Sequence, residues 1–175
     1  MTALTIDKAL YLLILIQLFW VSLIDIKHKK ISNQWIYFNL ALTAILWIAF
    51  PDNYAVTGQK LLYSLTFFAV GFVLYLIKII GAGDSKYLAS LYLVIPINWC
   101  ELALYSLFLS TLIIGGFVFF TTVVKKYDQL WPSFMARDYA QVAKLLNNRF
   151  SYAPVILVSW VLLGVLVFWK TTFVH

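Results

Sequence analysis

The sequence has little charge. Asp, Glu, Lys and Arg make up 11% of its 175 residues, whereas 63% are hydrophobic, and the mean hydropathy is +0.90. A soluble domain needs more polar surface than this, so the composition predicts an integral membrane protein. A chain of this length accommodates one helical bundle without a second sizeable domain, so we expect a single domain over residues 1–175.

Cysteine and histidine are also scarce. Cys100 is the single cysteine, which excludes an internal disulfide, and neither of the two histidines has a second ligand nearby. We therefore expect no metal site and no cofactor. The excess of basic residues is not interleaved with aromatic residues as in a nucleic-acid groove, so nucleic acid is not an expected partner.

The sequence is instead rich in long apolar runs. These runs predict an all-α, polytopic membrane protein with six transmembrane helices. The predicted spans are Ala9–Ile24, Trp35–Phe50, Leu61–Ile80, Tyr87–Trp99, Leu102–Val124 and Ala153–Trp169. The fourth is the weakest, because Pro96 interrupts it.

The distribution of basic residues predicts an orientation. Ten of the thirteen fall in the segments after spans one, three and five, and only Lys8, Lys60 and Lys170 fall on the other side. The positive-inside rule makes the first set cytoplasmic, facing anionic lipid, and places both termini outside. The ten are Lys27, Lys29, Lys30, Lys78, Lys86, Lys125, Lys126, Arg137, Lys144 and Arg149.

The long polar segment between spans five and six, residues 125–151, has helical periodicity. Its apolar residues recur on one face and its polar residues on the other, which predicts an amphipathic cytoplasmic helix on the inner membrane surface. Two roles stay open for it: covering the bundle or docking a substrate. The apolar set is Met135, Tyr139, Val142, Leu146 and Phe150, and the polar set is Arg137, Asp138, Gln141 and Lys144.

Acidic residues are the scarcest charged group. Of the seven, only Asp25 and Asp84 adjoin apolar spans on the predicted inner side. Two carboxylates that meet in a site of low dielectric constant share one proton, so one can activate water while the other protonates a carbonyl oxygen. Gly81 and Gly83 flank the second aspartate and would let the backbone approach a neighbouring helix or an extended substrate.

Each aspartate also has a structural interpretation. Asp84 could be the N-cap of span four, with the two glycines forming the turn. Asp25 could balance the charges of Lys27, Lys29 and Lys30. Their common side of the membrane favours the interpretation as a site.

The two aspartate segments resemble a known family. "GAGDSKYL" is similar to the GxGD-x-K signature of the type IV prepilin peptidases, which are membrane aspartic proteases, and "DIKHKKISN" resembles their first aspartate motif. "RFSYAP" is similar to the start of their last helix. The resemblance implies that Asp25 and Asp84 are the catalytic pair, and that Gly81, Gly83, Lys86 and Asn33 shape the site.

The resemblance also implies a substrate and a location. The substrate would be a prepilin with a short basic leader, cut at the cytoplasmic face of a bacterial inner membrane, and pilus assembly machinery would be a further partner. Ser32 stands where the family usually has proline. The chain lacks the insertion with two CxxC pairs that larger members carry, so it resembles the short branch that serves tight-adherence (Flp-type) pili, and methyltransferase activity is not expected.

Three other functional classes are alternatives for a chain of this composition. A protease of the presenilin or signal peptide peptidase type would carry a Tyr-Asp motif within a span and a Pro-Ala-Leu motif in its last span, and the predicted spans contain neither. A small transporter would place ionisable groups at the centre of a span, and none is found there. A membrane scaffold without catalytic activity is the remaining alternative.

Overall fold

The computed structural model describes residues 2–76, 80–136, 138, 141 and 151–173. Every regular element in these residues is a helix, which agrees with the all-α prediction. In chain order the eight helices of this part are α1 (Thr2–His28), α2 (Asn33–Ala49), α3 (Pro51–Tyr54), α4 (Gly58–Leu76), α5 (Ala82–Val94), α6 (Ile97–Lys125), α7 (Tyr127–Met135) and α8 (Ala153–Phe173).

Helix α1 buries one face and exposes the other. Leu10, Ile14, Leu18 and Val21 recur every three or four residues and are all buried, as one face of an α-helix requires. Asp25 comes four residues after Val21 and therefore continues the buried face. The opposite face exposes large apolar side chains that lipid would cover: Leu12, Ile16, Phe19, Trp20 and Leu23.

The helices pack in two groups. Helix α5 packs against α2 and α4, whereas α8 packs against α1 and α6. A smaller contact joins α4 to α6. Because α1 belongs to one group and α5 to the other, a site formed by both helices lies where the two groups meet.

Two helices of the described chain are long and apolar enough to cross a membrane. They are Ile6–His28 and Ile97–Lys125, while Ala153–Val167 forms a shorter apolar helix. Helix α5 has 13 residues, about 20 Å at 1.5 Å per residue, against a hydrocarbon core about 30 Å thick. The count of six spans therefore stays a prediction.

The predicted boundary between spans four and five is wrong. Helix α5 ends at Val94, and α6 runs without interruption from Ile97 to Lys125, so Ile97–Trp99 belong to the next helix. Pro96 is the reason. It disfavours helical backbone at the residue before it, and Ile95 accordingly has an extended ψ of 139°.

The predicted amphipathic helix lies largely outside the described residues. Residues 137, 139–140 and 142–150, which carry most of its pattern, belong to that undescribed part. What is described is α7, on which Tyr127 stacks against Trp131 with ring centroids 6.0 Å apart. Both rings are exposed. Lys78 also lies outside the described residues.

Glycine brings α4 and α5 into close contact. A Cβ added to Gly71 would lie 2.9 Å from the Ser85 Cβ and 3.0 Å from its Cα. Small residues allow such close helix packing in membrane proteins. Position 71 therefore has no room for a side chain unless α4 moves away from α5.

We predict that Gly71→Ala lowers the stability of the bundle, because overpacking a close helix contact costs about 1–3 kcal/mol. The measurement is thermal unfolding in detergent. Gly115→Ala is the matched control, since a Cβ on Gly115 of α6 meets nothing within 4 Å. An equal melting temperature for the two variants would contradict the prediction.

Candidate active site

Asp25 lies in the last turn of α1 and is bound to the start of α8. Its Oδ2 accepts a hydrogen bond from the backbone N–H of Ala153 at 3.1 Å, and its carbonyl oxygen accepts one from the Ser151 hydroxyl at 2.9 Å. Ala153 is the first residue of α8, so its N–H has no partner within that helix. The carboxylate thus caps a helix from 128 residues away in sequence.

Asp84 lies in the first turn of α5. Its Oδ2 accepts a hydrogen bond from the Gly81 N–H at 2.8 Å, and its own N–H donates to the Gly81 carbonyl oxygen at 3.1 Å. Gly81 is the N-cap of this helix, so Asp84 reaches back to the cap from the third helical position. The prediction that Asp84 is the N-cap is therefore wrong, because Gly81 is the N-cap and Asp84 accepts its N–H from the third helical position.

The two carboxylates are buried without cations. Asp25 is 2% exposed and Asp84 is 4% exposed, and in the described part of the chain neither forms an ion pair. Lys27, Lys29 and Lys30 are exposed, so the structure does not support the charge-balance interpretation of Asp25. Both acids are held instead by helix N-termini, whose partial positive charge favours a carboxylate.

The two carboxyl groups interact electrostatically. Asp84 precedes the predicted fourth span, and burial raises the pKa of its carboxyl to about 6. The hydrogen bond from Gly81 lowers this pKa, and the charge of Asp25 raises it. The two acids are thus close enough for one charge to alter the protonation of the other.

Tyr152 joins this cluster from the residue before α8. Its hydroxyl and the Thr111 hydroxyl are 2.8 Å apart, and its side chain is buried. Burial raises the pKa of the Tyr152 phenol, the hydrogen bond with Thr111 lowers it, and the charge of Asp84 raises it. The phenol therefore stays protonated. Because the Thr111 hydroxyl donates to the Leu107 carbonyl oxygen at 2.7 Å, the Tyr152 hydroxyl is the donor to Thr111.

The two glycines differ in their surroundings. A Cβ on Gly83 would lie 3.2 Å from the backbone carbonyl oxygen of Ile31, in the connection between α1 and α2. Gly83 therefore allows the close backbone approach expected from the sequence. A Cβ on Gly81 would lie 3.3 Å from Asp84 Oδ2, so a side chain there would crowd the carboxylate itself.

The other predicted site residues lie at the periphery. Lys86 is exposed on α5, and Asn33 is exposed as the first residue of α2. Neither contacts Asp25 or Asp84 through a hydrogen bond or ion pair in the described residues. Ser32 is the N-cap of α2, and its hydroxyl oxygen accepts from the Gln34 N–H at 3.3 Å. It therefore begins that helix where the family usually has proline.

Ser151 and Ala153, which hold Asp25, were not predicted as site residues. The segment "RFSYAP" pointed to the start of the last helix, and its combination of Ser, Tyr and Pro is a signal for a helix start. That signal does not say which distant side chain the helix start will meet. Asp25 is that side chain because α8 packs against α1 in the folded protein.

One protein-family model matches the chain. The model of the type IV leader peptidase family matches residues 12–120, which contain Asp25 and Asp84. This match covers more than half of the chain, so the protein belongs to that family of membrane proteases, whose substrates are prepilins. No curated protein and no solved structure matches the chain.

We predict a pH-dependent stability difference between the wild type and Asp84→Asn. The pKa of Asp84 rises from 3.8 to about 6 on folding, so between these pH values the folded state keeps a proton that the unfolded state has lost. The free energy of unfolding then falls as pH rises. Melting temperatures at pH 4 to 7 should show this slope in the wild type and a smaller slope in Asp84→Asn.

Asp52→Asn is the control for this prediction, because Asp52 is an exposed acid on α3. It should keep the wild-type slope. Parallel slopes for the wild type and Asp84→Asn would show that Asp84 does not titrate in this range.

Proposed function

We propose that the protein is an aspartic endopeptidase in which Asp25 and Asp84 form the catalytic pair. One observation carries the proposal: two buried carboxylates on different helices interact electrostatically, and no cation is paired with either in the described chain. An ion pair would fix the charge of a carboxylate, whereas a coupled pair without a cation can hold and exchange a proton.

Hydrolysis begins with one proton shared by the pair. The ionised carboxylate takes a proton from water, the resulting hydroxide bonds to the carbonyl carbon of the scissile peptide, and the protonated carboxyl gives its proton to the carbonyl oxygen. Because burial raises the pKa of Asp84, Asp84 is the favoured carrier of the first proton.

The second step breaks the peptide bond. The carboxyl that gained a proton from water gives it to the amide nitrogen, and the other carboxylate takes one from a hydroxyl of the gem-diol. The C–N bond breaks, an amine and a carboxylic acid leave, and the pair regains its single shared proton. No covalent enzyme intermediate forms in either of these two reaction steps.

The substrate we propose is a Flp-type prepilin. Its basic leader would be cut at the cytoplasmic face of a bacterial inner membrane. The peptidase itself would be a single domain with six membrane spans and with both termini on the periplasmic side. Lys27, Lys29, Lys30 and Lys86 are exposed around the inner ends of α1 and α5, which supports a cytoplasmic position for the site. The chain lacks CxxC pairs, so we propose cleavage without methylation, and pilus assembly machinery as a further partner.

We predict that Asp25→Asn and Asp84→Asn each abolish leader cleavage while keeping the protein folded. An asparagine oxygen can still accept the N–H of Ala153 or of Gly81, so both helix starts stay capped. Only the exchangeable proton and the charge are lost. The measurement is the shift to mature pilin on co-expression with a Flp-type prepilin, with abundance of each variant followed in parallel.

Asp52→Asn is again the matched control and should cleave like the wild type. If either catalytic variant is abundant and still cleaves, that aspartate is a helix cap and the proposed mechanism is wrong. Loss of the protein together with loss of cleavage would favour a structural role, and a folded wild type that cleaves no prepilin would favour the scaffold.

A further inference from the structure

A buried amide connects the two helices that carry the aspartates. Asn39 lies on α2, and its Oδ1 accepts a hydrogen bond from Gln17 Nε2 on α1 at 2.8 Å. Its Nδ2 donates to Ser90 Oγ on α5 at 3.1 Å. The Ser90 hydroxyl in turn donates to the Tyr87 carbonyl oxygen of its own helix at 2.8 Å. The chain of bonds therefore runs from α1 through α2 to α5.

All three side chains are inside the bundle. Gln17 is 5% exposed, Asn39 is 0% exposed and Ser90 is 4% exposed. A buried amide or hydroxyl is costly unless it is hydrogen-bonded, so the partners of these groups are strongly constrained. Hydrogen bonds of this kind between helices hold neighbouring helices together where water cannot compete.

The position of the link relates it to the site. Gln17 precedes Asp25 by eight residues, roughly 12 Å along α1, and Ser90 follows Asp84 by six residues, roughly 9 Å along α5. The link is therefore about two helical turns from both carboxylates, at similar depth. Helix α5 has its main contacts with α2 and α4, and α1 has its main contact with α8. The hydrogen bonds of Asn39 add a connection from α1 to α5 through α2.

We propose that Asn39 is a positioning residue, whose side-chain amide sets the spacing of α1 and α5 and thereby the spacing of the Asp25 and Asp84 carboxyl groups. The inference rests on the proposed function, because it concerns the geometry of that catalytic pair. A displacement of about 1 Å in reacting groups can cost about 100-fold in rate. The link is a series of two bonds, so cutting either bond breaks this hydrogen-bonded connection between α1 and α5.

The experiment is a set of variants compared for kcat, KM and melting temperature with purified protein and a Flp-type prepilin. Asn39→Leu replaces the amide by a side chain of similar size without hydrogen bonds. It should lower kcat by at least about 10-fold and change KM by less than about 3-fold, because the pair is displaced while leader binding is retained. A kcat within 2-fold of the wild type would overturn the inference.

Thr43→Val is the matched control. Thr43 is buried on α2 one turn after Asn39, and its hydroxyl donates only to the Asn39 carbonyl oxygen of the same helix, at 2.9 Å. Removing that hydroxyl removes a buried polar group of α2 without touching α1 or α5. Its kcat should stay within about 2-fold of the wild type, and a loss equal to that of Asn39→Leu would overturn the inference.

A double-mutant cycle separates positioning from stability. Gln17→Leu cuts the bond to α1 and Ser90→Ala cuts the bond to α5. Because the two bonds act in series, each single variant should lower kcat, and the double variant should lower it little further. Independent losses that multiply in the double variant would overturn the inference. If the wild type cleaves no prepilin, the proposed function itself fails, which is a distinct result.

Discussion

A buried carboxylate must have donors, and this requirement shapes the site. Both aspartates meet it through backbone N–H groups at helix starts, Asp25 at Ala153 of α8 and Asp84 at Gly81 of α5. A helix start supplies a donor and a partial positive charge without supplying a full cation. The acids are therefore held in place while their ability to exchange a proton is kept, which a lysine partner would suppress.

The site lies between two helix groups. Asp25 belongs to α1 and caps the start of α8 in one group, whereas Asp84 belongs to α5 and binds the start of that same helix in the other. Neither group contains both acids, so their spacing depends on contacts between the groups. One such contact is the close approach of Gly83 to the Ile31 carbonyl oxygen. Another is the pair of hydrogen bonds that Asn39 forms with Gln17 and Ser90.

The sequence allowed the prediction of the helical class, the two aspartates and the backbone approach at Gly83, because these depend on local composition and on two short motifs. It did not reveal the partner of Asp25, since nothing local to residue 25 indicates residue 153. It also failed to single out Gln17 and Asn39. They are neutral and polar, so neither the distribution of charged residues nor the apolar runs single them out. The α5–α6 boundary was missed because the apolar run continues through Pro96.

The family match ends at residue 120, before the helix whose start Asp25 caps. Both acids lie inside the matched region, but Ser151, Tyr152 and Ala153, which contact or surround them, lie outside it. What α8 contributes to Asp25 is a backbone N–H, which almost any residue can provide, so the chemistry requires a helix start there and not a particular side chain. A search for motifs therefore finds the acids and misses the helix that holds one of them.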